Sequence, residues 1–443
     1  HALLLALLYA FIYGSPLQED GAVRSSYFGD YAEPLLAQIK ESAIEARDPV
    51  ETEIIGRITN VLLRSQTPHF QSTIYQTSLQ WLVDEQRTKI SSVQSLAPLS
   101  LHYFAALRPE VIEPTDVQSL LKTLGGLLLD GTNSDASTSV LLRHITLLIN
   151  KFLPPKSVQA SLQDAGLDVT RLLASDPTQQ QIHISLAITK ALILLGKTSA
   201  LTSTYLHNLL DLLPTASAQT AQAFAALLAP DTLLSKANHC IISPLHKQRT
   251  FALLKAPLLA AFKTTESSKK QPYLLALAGI LQHIPYTVLQ PSLPELVPPL
   301  LQILDLPASQ STAQDVKPPI LAIIEAALLH DPDTLSEHAS SLISRLLACA
   351  SPPPKTKSAA SHPNNSTSAA PLPPPVNSPA VRGKALQCLT LLPTHLKREV
   401  VLPFRRQIIR KLVPSLDDSK RSVRTEAVKC RGAWMGMEEE AAE

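Results

Sequence analysis

Apolar residues recur at every third or fourth position along most of this sequence, which is the spacing of one face of an α-helix. The segment VVLPFRRQIIRKLVPSL at 400–416 shows the pattern clearly. Four apolar residues fall on one face of the predicted helix: Phe404, Ile408, Leu412 and Leu416. In the following segment, four others form the stripe of a second helix: Val423, Ala427, Cys430 and Trp434. Neither helix can bury its apolar face alone, so each requires neighbouring helices.

A short motif gives the period of the pattern. Val381-Arg382-x-x-Ala385 recurs 42 residues later, as Val423-Arg424-x-x-Ala427. A period of about 40–47 residues with two helices per period is typical of HEAT or armadillo repeats. We therefore predict an all-α fold, a right-handed α-solenoid of HEAT/armadillo-type helix pairs.

The same periodicity predicts helices along the rest of the chain, separated by proline, glycine and polar residues. Their predicted ranges are 2–13, 31–46, 52–64, 70–84, 93–107, 115–129, 138–152, 157–174, 179–195, 199–212, 217–228, 231–241, 245–263, 271–284, 293–306, 316–330 and 334–350. Nine of the 29 residues at 351–379 are proline, which predicts a disordered insertion between the two helices of one repeat. The expected organisation is HEAT-type repeats at 1–350, this Pro/Ser-rich insertion, terminal repeats at 380–437 and an acidic tail at 438–443.

Local signals indicate where several helices begin or end. Ser378 followed by Pro379 predicts a capped helix start, and Gly196 predicts a helix end. Asp417 and Asp418 are expected to cap the helix that follows them, and Thr115 or Asp116 to cap the helix at 115–129. The adjacent Gly125 and Gly126 indicate a close approach between two helices.

The composition excludes several classes of protein. The opening apolar run, HALLLALLYAFIYG, is too short to span a bilayer and lacks a basic start, so we expect a buried solenoid helix inside a longer protein. Four cysteines lie far apart in the sequence, which favours a reducing intracellular setting over a disulfide framework. The net charge of +2 gives no overall attraction to nucleic acid or membranes.

The charge is nevertheless uneven. Between Arg398 and Arg431, ten Lys or Arg residues against four acidic residues give a local charge of +6. The candidate partner-binding residues are Arg405, Arg406, Arg410, Lys411, Lys420, Arg421 and Arg424. Two interpretations stay open: a solvated end cap of the repeat array, or a docking site for an acidic partner.

Sequence motifs for chemistry are missing. No dinucleotide-binding glycine motif, P-loop or nucleophile elbow occurs. His239-Cys240 is the only adjacent His/Cys pair, and no CxxC or HxxxH accompanies it, so a structural role is favoured over metal binding. We expect a protein that is not an enzyme and that has no cofactor, no metal and no catalytic residues.

Several segments resemble the C-terminal part of the MMS-nineteen family. They are HISLAITKALILLG, HKQRTFALLKAPLLAAF, QPYLLALAGILQHIPYTVLQPSLPELVPPLLQIL and, most specifically, LDDSKRSVRTEAVKCRGAW. The resemblance extends over roughly 181–435, with the insertion at 351–379 and Met435 as departures. It implies a HEAT-repeat scaffold of the cytosolic iron–sulfur assembly targeting complex, with links to nucleotide excision repair and transcription.

The resemblance also implies partners. They would be iron–sulfur assembly carrier proteins, docked by the C-terminal repeats, and apo client proteins such as helicases, polymerases and primase-type enzymes, in cytoplasm and nucleus. Direct nucleic-acid or membrane binding is not expected, and a homodimer is left open. The alternatives are a generic HEAT adaptor, such as a transport receptor or phosphatase scaffold, an enzyme, and a DNA-binding basic end.

Overall fold

A computed structural model describes residues 32–45, 48–64, 66–72, 75, 97–130, 135–307, 315–352 and 377–437. Within these ranges the regular structure is helical, with no strand. The α-helices are α1 (Ala32–Glu45), α2 (Pro49–Arg64), α3 (Ala97–Ala106), α4 (Pro114–Leu129), α5 (Asp135–Phe152), α6 (Val158–Asp164), α7 (Val169–Leu172), α8 (Gln179–Leu195), α9 (Ser199–Asp211), α10 (Ala218–Ala223), α11 (His246–Thr264), α12 (Gln271–Leu281), α13 (Tyr286–Leu289), α14 (Leu293–Leu304), α15 (Lys317–His330), α16 (Pro332–Ser336), α17 (Ala339–Ala350), α18 (Pro379–His395), α19 (Arg398–Val401), α20 (Arg405–Leu416) and α21 (Arg421–Gly436).

The chain divides into two compact units, and the first comprises residues 1–212 and 226–250. Helix α2 packs against α3, α3 against α5, and α5 against both α4 and α8. Ile55, Ile58, Leu63 and Tyr103 are buried in the core between these helices. Helix α5 also buries polar residues, including His144, Asn150 and Lys151, which therefore need partners inside the unit.

The second unit comprises residues 213–225 and 251–443. Its later helices form three pairs: α14 with α15, α17 with α18, and α20 with α21. Helices α14, α17 and α20 contact one another in succession, and so do α12, α15, α18 and α21. Each helix thus contacts its pair mate and the equivalent helix of the next pair, which is the arrangement of a HEAT-type solenoid. The predicted all-α solenoid of helix pairs is confirmed.

Two predicted helix boundaries hold for identifiable reasons. Ser378 begins α18, and its side chain accepts a hydrogen bond from the Val381 amide, with Pro379 in the first turn. Gly196 ends α8 in the left-handed conformation at φ 66°, and its N–H donates to Leu192 O. Both are local effects between residues close in sequence, and a sequence pattern captures such effects well.

Other local predictions are wrong. The helix predicted at 157–174 is broken into α6 and α7 at Gly166, which has a φ of 73°. The segment predicted as a helix at 231–241 is irregular apart from one short 3-10 turn, Lys236–Asn238. Helix α4 begins after Glu113, without a side-chain cap from Thr115 or Asp116.

The glycine pair in α4 also departs from its prediction. A Cβ atom at Gly125 would lie 2.8 Å from Cδ2 of Leu167, a residue in the turn between α6 and α7. A Cβ atom at Gly126 would meet nothing within 4 Å. Gly125 therefore lies at a close approach of α4 to the turn between α6 and α7, and Gly126 marks no close approach. The helix predicted at 2–13, most of the one at 70–84, most of 351–379 and the tail at 438–443 lie outside the described residues.

Candidate partner-binding surface

Helices α20 and α21 carry the most basic segment of the sequence. Ile408 and Leu412 of α20 are buried, as the helical spacing predicts. Phe404 lies in a 3-10 turn before α20 and, like Leu416, is only half-buried. All four residues of the predicted stripe of α21 are buried too: Val423, Ala427, Cys430 and Trp434. The Trp434 indole Nε1 donates a hydrogen bond of 2.9 Å to Leu389 O, which joins α21 to α18.

A buried ion pair joins the same two repeats. Nε of Arg382 lies 2.8 Å from one carboxylate oxygen of Asp418, and Nη2 lies 3.0 Å from the other. The exposed fractions of the two side chains are 4% and 0%. Nη1 of Arg382 donates to Asn377 O at 2.6 Å, so the guanidinium is fixed from both sides.

The predicted capping role of Asp417 and Asp418 is therefore wrong. The residue at the N-cap of α21 is Lys420, and no side chain caps this helix. Asp418 accepts from the Lys420 N–H at 2.9 Å, but its carboxylate faces Arg382. Burial raises the pKa of Asp418, yet the hydrogen bonds from Arg382 and the Lys420 amide outweigh burial, so the net pKa is below the ordinary value.

Two of the seven candidate cations stabilise the fold itself. Arg405 donates from Nε to Trp434 O at 2.8 Å and from Nη2 to Met435 O at 3.2 Å. Because the last carbonyls of a helix lack intrahelical donors, Arg405 stabilises the end of α21. Arg424 donates from Nη1 to Asp418 O at 2.6 Å and to Ser419 O at 3.3 Å, which fixes the turn before α21.

The other five candidate cations are exposed: Arg406, Arg410, Lys411, Lys420 and Arg421. Arg406 and Arg410 lie one turn apart on the side of α20 away from Ile408. Within the described ranges, no ion pair engages these five side chains. They form a basic surface whose charges no ion pair within the described ranges neutralises. We call it the α20–α21 basic surface.

The cysteines are placed for packing. All four are buried with free thiols. Burial raises the pKa of Cys349 to about 11, and that of Cys388 and of Cys430 to about 12, so these thiols are weak nucleophiles at neutral pH. Within the described ranges, His, Cys, Asp and Glu nowhere form a group of three or more that could hold a metal ion.

Sequence reasoning missed the structural role of Arg382 and did not single out Arg431. The signal for Arg382 was present, because the repeated Val-Arg-x-x-Ala motif places Arg382 and Arg424 at equivalent positions. Its carboxylate partner lies 36 residues further along the chain, beyond the reach of a local pattern. Among the helices described, none has the length and apolarity needed to cross a membrane.

Several solved structures resemble the chain. A crystal structure of an engineered protein matches with a TM-score of 0.34 and 15% identity, covering 97% of this chain and 94% of that one. The crystal structure of Kap121p bound to Pho4p matches with a TM-score of 0.40 and 13% identity, covering 99% of this chain and 42% of that one.

Sequence comparisons are more specific. The family model described as "RNAPII transcription regulator C-terminal" matches residues 1–393. The MMS19 nucleotide excision repair protein homolog of Mus musculus is 33% identical over 307 residues, which are 69% of this chain and 27% of the relative. The DNA repair/transcription protein mms19 of Schizosaccharomyces pombe is 27% identical over 300 residues, 66% of this chain and 26% of the relative. The chain thus spans about a quarter of the length of these relatives. It belongs to the MMS19 family, of which it represents a C-terminal portion.

Proposed function

We propose that this chain belongs to a non-catalytic scaffold of the cytosolic iron–sulfur assembly machinery. The scaffold would bring late-acting carrier proteins together with apo client proteins of DNA repair, replication and transcription, such as helicases and polymerases. Such a protein acts by raising the local concentration of donor and acceptor, which requires surfaces rather than reactive groups. Membership of the MMS19 family and the solenoid of helix pairs support this proposal. The DNA repair and transcription names of the relatives favour work in the nucleus as well as the cytoplasm.

The observation that carries the proposal is the α20–α21 basic surface. Five cations are exposed there, and within the described ranges the fold neutralises none of them. A surface of this kind suits an acidic protein partner, because complementary charge speeds encounter and sets orientation. We assign this surface to docking of an assembly carrier protein.

Three substitutions in the full chain test the assignment: Arg406→Glu, Arg410→Glu and Lys411→Glu together. Arg405 is kept, since its guanidinium stabilises the end of α21. The matched control reverses three exposed lysines elsewhere: Lys122→Glu, Lys156→Glu and Lys263→Glu. We expect affinity purification to recover the carrier complex with wild type and control but not with the α20 variant, with equal melting temperatures by circular dichroism. Equal recovery with all three proteins would reject the docking site.

Direct binding to nucleic acid is not part of the proposed function. The purified chain should bind duplex DNA no more strongly than the α20 variant does at physiological salt. A measurable affinity that falls steeply with salt, and that the three substitutions abolish, would instead make the basic surface a DNA contact.

A further inference from the structure

One flank of α18 is covered by the next repeat. Arg382, Leu386 and Leu389 follow one another at helical spacing along this flank, and all three are buried. Helix α21 packs against α18 here, with Trp434 hydrogen-bonded to Leu389 O and Asp418 paired with Arg382. This flank therefore shows how a helix of this array receives a neighbour.

The equivalent flank of α21 is open within the described residues. A shift of 42 residues carries Arg382, Leu386 and Leu389 to the first three of the residues that form it: Arg424, Val428, Arg431 and Met435. Val428 is 61% exposed and Met435 is 50% exposed, whereas Leu386 is fully buried. We call these four residues the α21 flank.

Arg424 makes the same backbone hydrogen bond as Arg382, but it has no carboxylate partner among the described residues. Nη1 of Arg382 donates to Asn377 O, and Nη1 of Arg424 donates to Ser419 O, which is the equivalent position 42 residues on. In Arg382 the remaining edge, Nε and Nη2, binds the carboxylate of Asp418. Among the described residues, the same edge of Arg424 has no acceptor. The guanidinium is thus held in place with its carboxylate-binding edge unused.

Arg431 adds a second, half-buried cation to this flank. It stands where α18 has Leu389, and its Nε is buried without a hydrogen-bond partner among the described residues. Covering this flank with a purely apolar helix would bury two unpaired cations, which is costly. Pairing two copies of the flank would set arginine against arginine, which disfavours a second copy of this chain. The occupant must therefore bring carboxylates.

We propose that the α21 flank docks an acidic amphipathic helix of a partner protein. Its carboxylates bind Arg424 and Arg431, which are two helical turns and roughly 10 Å apart along the axis. Its apolar residues cover Val428 and Met435, on the flank of α21 that corresponds to the buried flank of α18. The inference rests on the proposed scaffold function and adds a defined recognition mode to it.

Two labelled synthetic peptides test the proposal with the full chain by fluorescence anisotropy. One is a helical peptide with glutamates seven residues apart and leucines between them on the same face, and the other carries glutamine in place of each glutamate. We expect the glutamate peptide to bind about tenfold more tightly. Val428→Glu, at a position exposed enough to leave folding intact, should weaken the glutamate peptide about tenfold. Lys122→Glu with Lys156→Glu should leave its affinity unchanged.

A second variant separates recognition from folding. Arg424→Lys with Arg431→Gln keeps a cation next to Ser419 but removes the guanidinium edge, and it should lose the preference for glutamate over glutamine. Equal affinity of the two peptides for wild type, or unaltered binding by Val428→Glu, would overturn the proposal. So would self-association of the chain that Val428→Glu abolishes, since the occupant would then be a second copy.

The scaffold function and the docking role of the α21 flank can be rejected independently. Loss of carrier recovery in the α20 variant, without glutamate-dependent peptide binding, would leave the scaffold function standing and reject the α21 flank. Peptide binding that depends on Arg424 and Val428, with no carrier recovered from wild type, would reject the scaffold function alone.

Discussion

Asn150 and Ile241 bind each other as two strand residues would, although one uses a side chain and they lie 91 residues apart. The amide Nδ2 of Asn150 donates to Ile241 O at 2.8 Å, and Oδ1 accepts from the Ile241 N–H at 2.9 Å. Two turns earlier on α5, Arg143 donates to both oxygens of Asp231, at 2.7 and 2.8 Å. These two side chains anchor the irregular segment at 229–245 to α5.

Replacing Asn150 should therefore release this segment. Asn150→Asp removes the donor and places a carboxylate oxygen next to the Ile241 carbonyl. Asn150→Ala removes both the donor and the acceptor of the side chain. We expect each to lower the free energy of unfolding by about 1–3 kcal/mol, because partly buried backbone groups lose their hydrogen bonds. Urea unfolding measures the loss, and limited proteolysis should cut within 229–245.

The control for this prediction is Asn208→Ala. Asn208 also makes a long-range side-chain bond, 3.1 Å to Thr170 Oγ1, but on an exposed surface. Its replacement should change stability by less than about 0.5 kcal/mol. If both asparagine variants were equally mild, the irregular segment would not depend on Asn150.

The Arg382–Asp418 pair gives a prediction about the joint between two repeats. Asp418→Ala leaves a buried guanidinium without its carboxylate and should cost about 3–5 kcal/mol. The double variant Arg382→Met with Asp418→Leu removes both charges and should recover most of that loss. Thermal unfolding of the wild type and the two variants gives the comparison. A double variant less stable than Asp418→Ala would show that the pair contributes more than an apolar contact of similar size.

The parts of the fold that the sequence could predict depend on neighbours close in the chain. Helical spacing predicted the buried stripe from Val423 to Trp434. The Ser378 side chain accepts from an amide three residues later, and the Gly196 N–H donates to a carbonyl four residues earlier. The parts it could not predict depend on distant partners. The segment at 231–241 has helical spacing, yet Asn150 holds its backbone in another conformation.

The candidate surface shows the same division. Its seven cations were visible in the sequence, but only the structure separates Arg405 and Arg424, which bind backbone carbonyls, from the five exposed ones. Asp418 precedes a helix as a capping residue does, and only the position of Arg382, 36 residues earlier, reveals its pairing. The repeat period relates the flank of α21 to that of α18, but only the structure shows that Val428 is exposed and Leu386 buried.

Two glycines in helices should respond to alanine in opposite ways. A Cβ atom at Gly279, in α12, would lie 2.9 Å from the backbone nitrogen of Ala225. This contact could be relieved only by a shift of the backbone, because no flexible side chain is involved. At Gly126, in α4, it would meet nothing within 4 Å. Gly126→Ala should stabilise the protein by about 0.5–1 kcal/mol through helix propensity, and Gly279→Ala should destabilise it by about 1–3 kcal/mol. Melting temperatures of the two variants report the signs, and a gain at Gly279 would contradict the close approach.

His144 lies wholly buried on α5, in a setting that disfavours its charged form. Its Nδ1 lies 3.0 Å from Val140 O, its ring meets the Phe104 ring edge-on at 5.8 Å, and Nε2 is buried without a partner among the described residues. Burial lowers its pKa to about 4, with smaller contributions in the same direction from Arg143 and His102 and an opposing one from the Val140 carbonyl.

This lowered pKa predicts a stability that falls in mild acid. The unfolded chain binds a proton at His144 near pH 6.5, whereas the folded protein does not bind it until about pH 4. The stabilisation is therefore complete above pH 6.5 and is lost as the pH falls between these values, on the order of 3 kcal/mol in all. His144→Phe keeps an aromatic ring against Phe104 and removes the titrating group, so its free energy of unfolding should decline less over this range. Urea unfolding of wild type and variant at matched pH values measures the difference, and parallel curves would show that His144 does not carry the acid sensitivity.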